Sequence, residues 1–108
     1  MSRLVQLQAF LAESPNDPFL HYATALEYLK LNDYAQALGI FETLMTAHPN
    51  YVGTYYHLGK LYEQLQRPDD ALKTYQKGME IAEQLNDRHS NQELRGAYQM
   101  LQDELSDW

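Results

Sequence analysis

Cysteine is absent from the 108 residues, which excludes a disulfide scaffold, a thiolate nucleophile and a Cys-based zinc site. Basic residues are few, eight against fifteen acidic ones, and the formal net charge is -7. An acidic field of that size argues against nonspecific nucleic-acid binding and against anionic membranes, both of which need basic surface. Long apolar runs are missing, so no segment reads as a membrane span. The amino terminus, MSRLVQLQAFLAES, is interrupted by Gln6 and Gln8 where a signal peptide needs continuous apolar residues. The expected compartment is therefore the cytoplasm. Gly-rich phosphate loops, nucleophile elbows and paired carboxylates are also absent, and no two of His21, His48, His57 and His89 share a helical face at ligand spacing. Neither catalysis nor a metal or other cofactor is expected.

What is present is helical patterning. Leu4, Leu7 and Leu11 form a stripe at helical spacing. The prolines fall at helix boundaries. Asn16-Asp17-Pro18 reads as a cap followed by proline in the first turn, and Asp33 with Gln36 as a capping box. His48-Pro49-Asn50 is read as stopping one helix and capping the next, Arg67-Pro68-Asp69-Asp70 as a helix start, and Ser90 with Glu93 as a further capping box. No segment shows strand alternation bounded by tight turns. The expectation is an all-α chain with helices near 2–13, 18–31, 34–47, 51–65, 68–85 and 91–106, and Asn86 to His89 as a longer connection.

The pattern repeats. Pro15 and Pro49 are 34 residues apart, and the same offset relates Tyr22 to Tyr56, Ala25 to Gly59, Tyr28 to Tyr62, Ala37 to Ala71 and Phe41 to Tyr75. Carried backwards, it puts Leu4, Leu7 and Leu11 in phase with Leu38, Phe41 and Met45. The first helix is thus the second half of a repeat. Ala25 and Gly59 sit mid-helix where a large side chain would hold a partner helix away, and Ala37 and Ala71 are the matching small residues on that partner. Tyr28, Phe41, Tyr62 and Tyr75 are the aromatic filler such a packing needs.

These segments, HYATALEYLKLNDYAQALGIFETLMTAHPN and YYHLGKLYEQLQRPDDALKTYQKGM, resemble tetratricopeptide repeats. Tyr55, Leu58, Gly59, Tyr62, Ala71, Tyr75 and Gly78 match the family pattern in the second, and Ala25, Tyr28, Ala37, Phe41 and Pro49 match it in the first. His21 and Thr24 depart where an aromatic residue and a leucine are usual, and Leu44 replaces a small residue. The resemblance implies a right-handed α-α superhelix of helix–turn–helix repeats with N- and C-terminal capping helices. Within a single domain, 1–108, it divides the chain into a leading half-repeat helix at 2–15, repeats at 18–51 and 52–85, and a capping helix at 90–106. The final helix, with Leu94, Ala97, Tyr98, Leu101 and Leu105 on one face, suits an end that docks on one side and is solvated on the other.

The resemblance also implies a function: the first helix of each pair lines a concave groove that receives a peptide or helix of a partner protein. By phase, the first repeat presents Phe19, Tyr22, Leu26, Leu29 and Lys30, and the second presents Tyr56, His57, Lys60, Glu63 and Gln64. Tyr22 and Tyr56 stand out as rings the packing stripe does not require, and tyrosine suits a contact surface. Family members that clamp a partner's C-terminal carboxylate use lysines, asparagines and an arginine. Tyr22, Leu26 and His57 occupy those positions here, leaving Lys60 and Arg95, too few for such a clamp. The expected partner is held by apolar and aromatic contacts, with Lys30 and Lys60 selecting an acidic neighbour. The alternative is self-association as a homodimer.

Overall fold

The computed structural model describes residues 2–107 and contains only helices among them. In chain order they are α1 (Arg3–Glu13), α2 (Pro18–Lys30), α3 (Tyr34–Ala47), α4 (Gly53–Gln64), α5 (Pro68–Gln84) and α6 (Arg88–Ser106). They group into two compact units, Met1–Tyr51 and Val52–Trp108.

In the first unit α2 packs against both α1 and α3. The helix starts follow local chemistry. Ser2 caps α1 by accepting from the Val5 N–H at 3.2 Å, Asp17 caps α2 through the Phe19 N–H at 2.9 Å, and Asp33 caps α3 through the Gln36 N–H at 3.3 Å. Leu7, Ala25, Ala37, Phe41 and Leu44 form the buried core, so the small residues expected at the helix–helix contact are there. Thr24, which stands where leucine is usual in tetratricopeptide repeats, is buried too, and its hydroxyl donates to the Leu20 carbonyl at 2.7 Å instead of lying unsatisfied.

In the second unit α5 packs against α4 and α6, and α6 also touches α4. Tyr55, Leu58, Leu61, Tyr62, Ala71, Tyr75, Ala82 and Leu94 are buried, each contributing on the order of 1–3 kcal/mol by leaving water. Two glycines set the spacing. A Cβ on Gly59 would lie 2.2 Å from the Tyr75 ring, and one on Gly78 would lie 2.5 Å from Tyr55 Cβ and 2.9 Å from Leu94 Cδ1. The first glycine seats a tyrosine of α5 against α4, and the second lets α4 and α6 both close on α5.

Three of the five connections obey one rule. Asn32, Gln66 and Asn86 all have a left-handed backbone, with φ of 60°, 62° and 56°. After each, the next N–H reaches back across the turn: Asp33 to the Tyr28 carbonyl at 2.9 Å, Arg67 to Tyr62 at 2.8 Å and Asp87 to Ala82 at 2.8 Å. This is the Schellman closure of a helix end. The turns correct three sequence readings. The 86–89 segment is not a longer connection, because the tight turn puts Asp87 at the cap of α6, where it accepts from Ser90 N at 3.1 Å and Ser90 Oγ at 2.7 Å. Ser90 therefore does not cap with Glu93; it lies inside the helix. Asn50 does not cap α4 either: the chain turns through a Tyr51 N–H to His48 carbonyl bond of 3.0 Å, and α4 begins at Gly53 without a side-chain cap.

The glycine contacts give a paired prediction. Gly59→Ala should cost about 1–3 kcal/mol, because displacing a buried tyrosine outweighs a helix-propensity gain of about 1 kcal/mol. Gly96→Ala, at an exposed helical site with nothing within 4 Å of the new Cβ, should gain about 0.5–1 kcal/mol. Urea denaturation of both variants checks the opposite signs.

Candidate interaction faces

Each unit carries part of the residue set expected for partner contact, and the two parts differ in chemistry. On α2, Phe19 is 54% exposed, while Tyr22, Leu26 and Leu29 are half-buried. Tyr22 is not a spare ring. Its centroid is 6.4 Å from that of Phe41 in an edge-on arrangement and 5.3 Å from that of Tyr51. The expectation that packing does not require Tyr22 is therefore corrected: the ring bridges buried Phe41 to the chain beyond Pro49. Tyr51 itself is held above the ordinary phenol pKa by burial and then by the charge of Asp17. No short motif marks Tyr51, and only its proximity to Tyr22 shows its place. Lys30 is highly exposed and 4.0 Å from Glu27.

The corresponding face of α4 is polar. The Tyr56 ring meets the His57 ring edge-on at 5.5 Å, and Lys60 Nζ lies 5.7 Å from the Tyr56 centroid. Lys60 is also 3.8 Å from Glu63, and Glu63 accepts a hydrogen bond from the buried Tyr75 hydroxyl. Burial, the Glu63 hydrogen bond and the Glu63 charge together push the Tyr75 pKa up. Phase explains this arrangement. Tyr75 and Glu63 correspond to Phe41 and Leu29 of the first repeat, so a hydroxyl and a carboxylate appear together where the other repeat has two apolar groups. Glu63 and Lys60 are thus held by their own unit, and Gln64 is exposed beside them.

His57 is half-buried. Burial lowers its pKa, and the charge of Glu93 on α6 opposes that shift in part. His89, 4.0 Å from Glu93, lies on the same helix. Among the described residues no group of three His, Asp or Glu side chains is placed to hold a metal ion. Nor is any described helix long and apolar enough to cross a membrane.

A groove of about 530 Å³ in the first unit was not anticipated from sequence. It runs along α3 past Gly39, Ile40, Leu44 and Ala47, with Pro15 and His21 opposite. His21 stands where the second repeat has buried Tyr55, and its Nε2 lies 2.6 Å from the Pro15 carbonyl. The departures at His21 and Leu44 were the signal available in the sequence, but they did not reveal a cavity.

With this geometry the comparisons are direct. A tetratricopeptide repeat family model matches residues 28–105. The crystal structure of a tetratricopeptide repeat domain protein from Salinibacter ruber is 47% identical, with a TM-score of 0.78 over 81% of this chain and 97% of that one. The chain belongs to the tetratricopeptide repeat family. Two more distant structures share the fold. A protein from Bordetella parapertussis is 20% identical with a TM-score of 0.82, over 96% of this chain and 90% of that one. The first tetratricopeptide repeat domain of Spaghetti (RPAP3), bound to the HSP90 peptide SRMEEVD, is 19% identical with a TM-score of 0.79, over 95% and 77%. No curated protein matches the chain.

The environment of His57 sets a pH dependence. Its folded pKa lies below the unfolded value near 6.5, so between the two the unfolded chain binds more protons and stability rises with pH. Thermal unfolding should show stability falling as pH drops below about 6.5, and His57→Gln should flatten that part of the profile. An unchanged slope in the variant would remove His57 as its source.

Proposed function

We propose that the chain is a non-catalytic protein-interaction module that takes a peptide or helix of a partner protein through aromatic and apolar contacts. The carrying observation is the α2 face, where exposed Phe19 adjoins half-buried Tyr22, Leu26 and Leu29 on a helix otherwise anchored by Thr24 and Ala25. Family membership supports the reading, since the first helix of each repeat is the contact helix in tetratricopeptide domains. In the second repeat, Tyr56, His57 and Lys60 serve as the contact set. Glu63 acts there mainly by holding Lys60 and Tyr75.

The peptide bound by the Spaghetti (RPAP3) domain does not transfer to this chain. That peptide ends in acidic residues and a C-terminal carboxylate. Here Lys60 already faces Glu63, and Tyr22 and Leu26 supply no cationic or amide donor. Lys30, 4.0 Å from Glu27 but 77% exposed at its side chain, is the more solvent-facing of the two lysines and selects an acidic neighbour flanking the apolar contact. A cytoplasmic setting fits a chain without cysteine.

The test separates contact from packing. Phe19→Ser with Tyr56→Ser should remove retention of partner proteins on the immobilised chain, with a loss of at least tenfold, while the melting temperature shifts by only a few degrees. Tyr22→Ala should instead cost about 1–3 kcal/mol of stability, because it strips a ring from Phe41 and Tyr51. Undiminished retention by the folded double variant would refute this assignment of the contact faces.

A further inference from the structure

We propose that Tyr75 is a positioning residue for the α4 contact face, a role that rests on the assignment of Tyr56 and Lys60 to partner contact. Its buried hydroxyl fixes Glu63, and Glu63 in turn holds Lys60 over the Tyr56 ring. Tyr75 is fully buried, and a buried hydroxyl left without a partner is costly. It donates to Glu63, so the acceptor is charged and the bond is stronger than one between neutral groups. A glutamate on a helix surface ordinarily samples many rotamers. This one cannot swing away without stranding the hydroxyl beneath it, and its side chain is only 23% exposed.

A second ion pair shows what that anchor adds. Lys77 and Glu80 have the same three-residue spacing, and their 3.9 Å separation matches the 3.8 Å of Lys60 and Glu63. Glu80 is 66% exposed, and a pair of that kind must order two mobile side chains for little gain. Glu63 is already fixed from below, so only Lys60 remains to be ordered. The Lys60 ammonium then lies 5.7 Å from the Tyr56 centroid, within reach of cation–π attraction.

The first repeat lacks this set. Phe41, Leu29 and Leu26 stand in phase with Tyr75, Glu63 and Lys60, and there the in-phase ring, Tyr22, leans on Phe41 at 6.4 Å. The three replacements occur together and change what the tyrosine meets: Tyr56 is set against His57 and Lys60. Order already present in the free protein is not paid for again on binding, so a held ring binds more tightly than a loose one. Tyr75 lies out of a partner's reach and acts on the contact through two other side chains.

Two variants separate the hydroxyl from the charge. Tyr75→Phe keeps the ring against Gly59 and removes only the hydroxyl. Glu63→Gln keeps an acceptor for that hydroxyl and removes only the charge. Carbon–proton NMR spectra of the intact chain report the ε-methylene of Lys60, which the Tyr56 ring current shifts upfield. In both variants that signal should move to the position of an exposed lysine, while the Lys77 signal stays in place. Retention of partner proteins on the immobilised variants should fall roughly threefold or more, with the fold native by circular dichroism. An unmoved Lys60 signal in either folded variant overturns the proposal, and so does undiminished retention once the signal has moved. A purely structural Tyr75 would lower the melting temperature of Tyr75→Phe and change neither readout. Full retention by the Phe19 and Tyr56 double variant would instead defeat the contact reading itself, and the Lys60 signal would still decide what Tyr75 positions.

Discussion

The seating of Tyr75 against Gly59 is the contact on which the second unit depends. A Cβ at that glycine would sit within 2.7 Å of three ring atoms, so the helix axes can hold their spacing only while that side chain is absent. Once the ring is placed, its hydroxyl has to be satisfied, and Glu63 one turn along α4 accepts it. Glu63 then holds Lys60, and Lys60 stands over Tyr56. A packing constraint in the interior thus runs outward in four steps to the surface.

The first repeat meets the same constraint with apolar groups. Phe41 lacks a hydroxyl, so Leu29 stands where a carboxylate would be needed, and Leu26 replaces the lysine. Two faces of common ancestry in the period therefore have different chemistry: one offers apolar area, the other offers charges already paired within the unit. The half-buried Lys60–Glu63 pair sets a carboxylate beside the lysine and so offsets its charge within the unit.

Much of this was legible in the residues. Leu7, Ala25, Ala37, Phe41, Tyr55, Gly59 and Tyr75 are buried where their phase places them, because a two-helix repeat can bury a given position in only one way. Asp17 and Asp33 cap their helices as read, each immediately preceding the helix it starts. Ser90 and Asn50 did not cap. A capping side chain acts only where the backbone places it, and that was decided by turns closed through Asn86 and through Tyr51 to His48. Tyr22 was misread for a related reason. Its phase gave its helix face correctly, but its contact, Tyr51, lies beyond the end of the next helix, out of reach of any local pattern.

The sequence by itself determined the all-α class, the 34-residue period, the small residues at the helix contacts and the family, because these follow from spacing along one chain. Tertiary structure decided which charges are free, which rings bear load and where a groove remains. Lys60, Tyr22 and His21 look alike as candidates in a string of letters. They separate only when Glu63, Phe41 with Tyr51, and the Pro15 carbonyl are brought within a few ångströms of them. Burial and pairing depend on distances across the fold, and periodicity along the chain does not carry those distances.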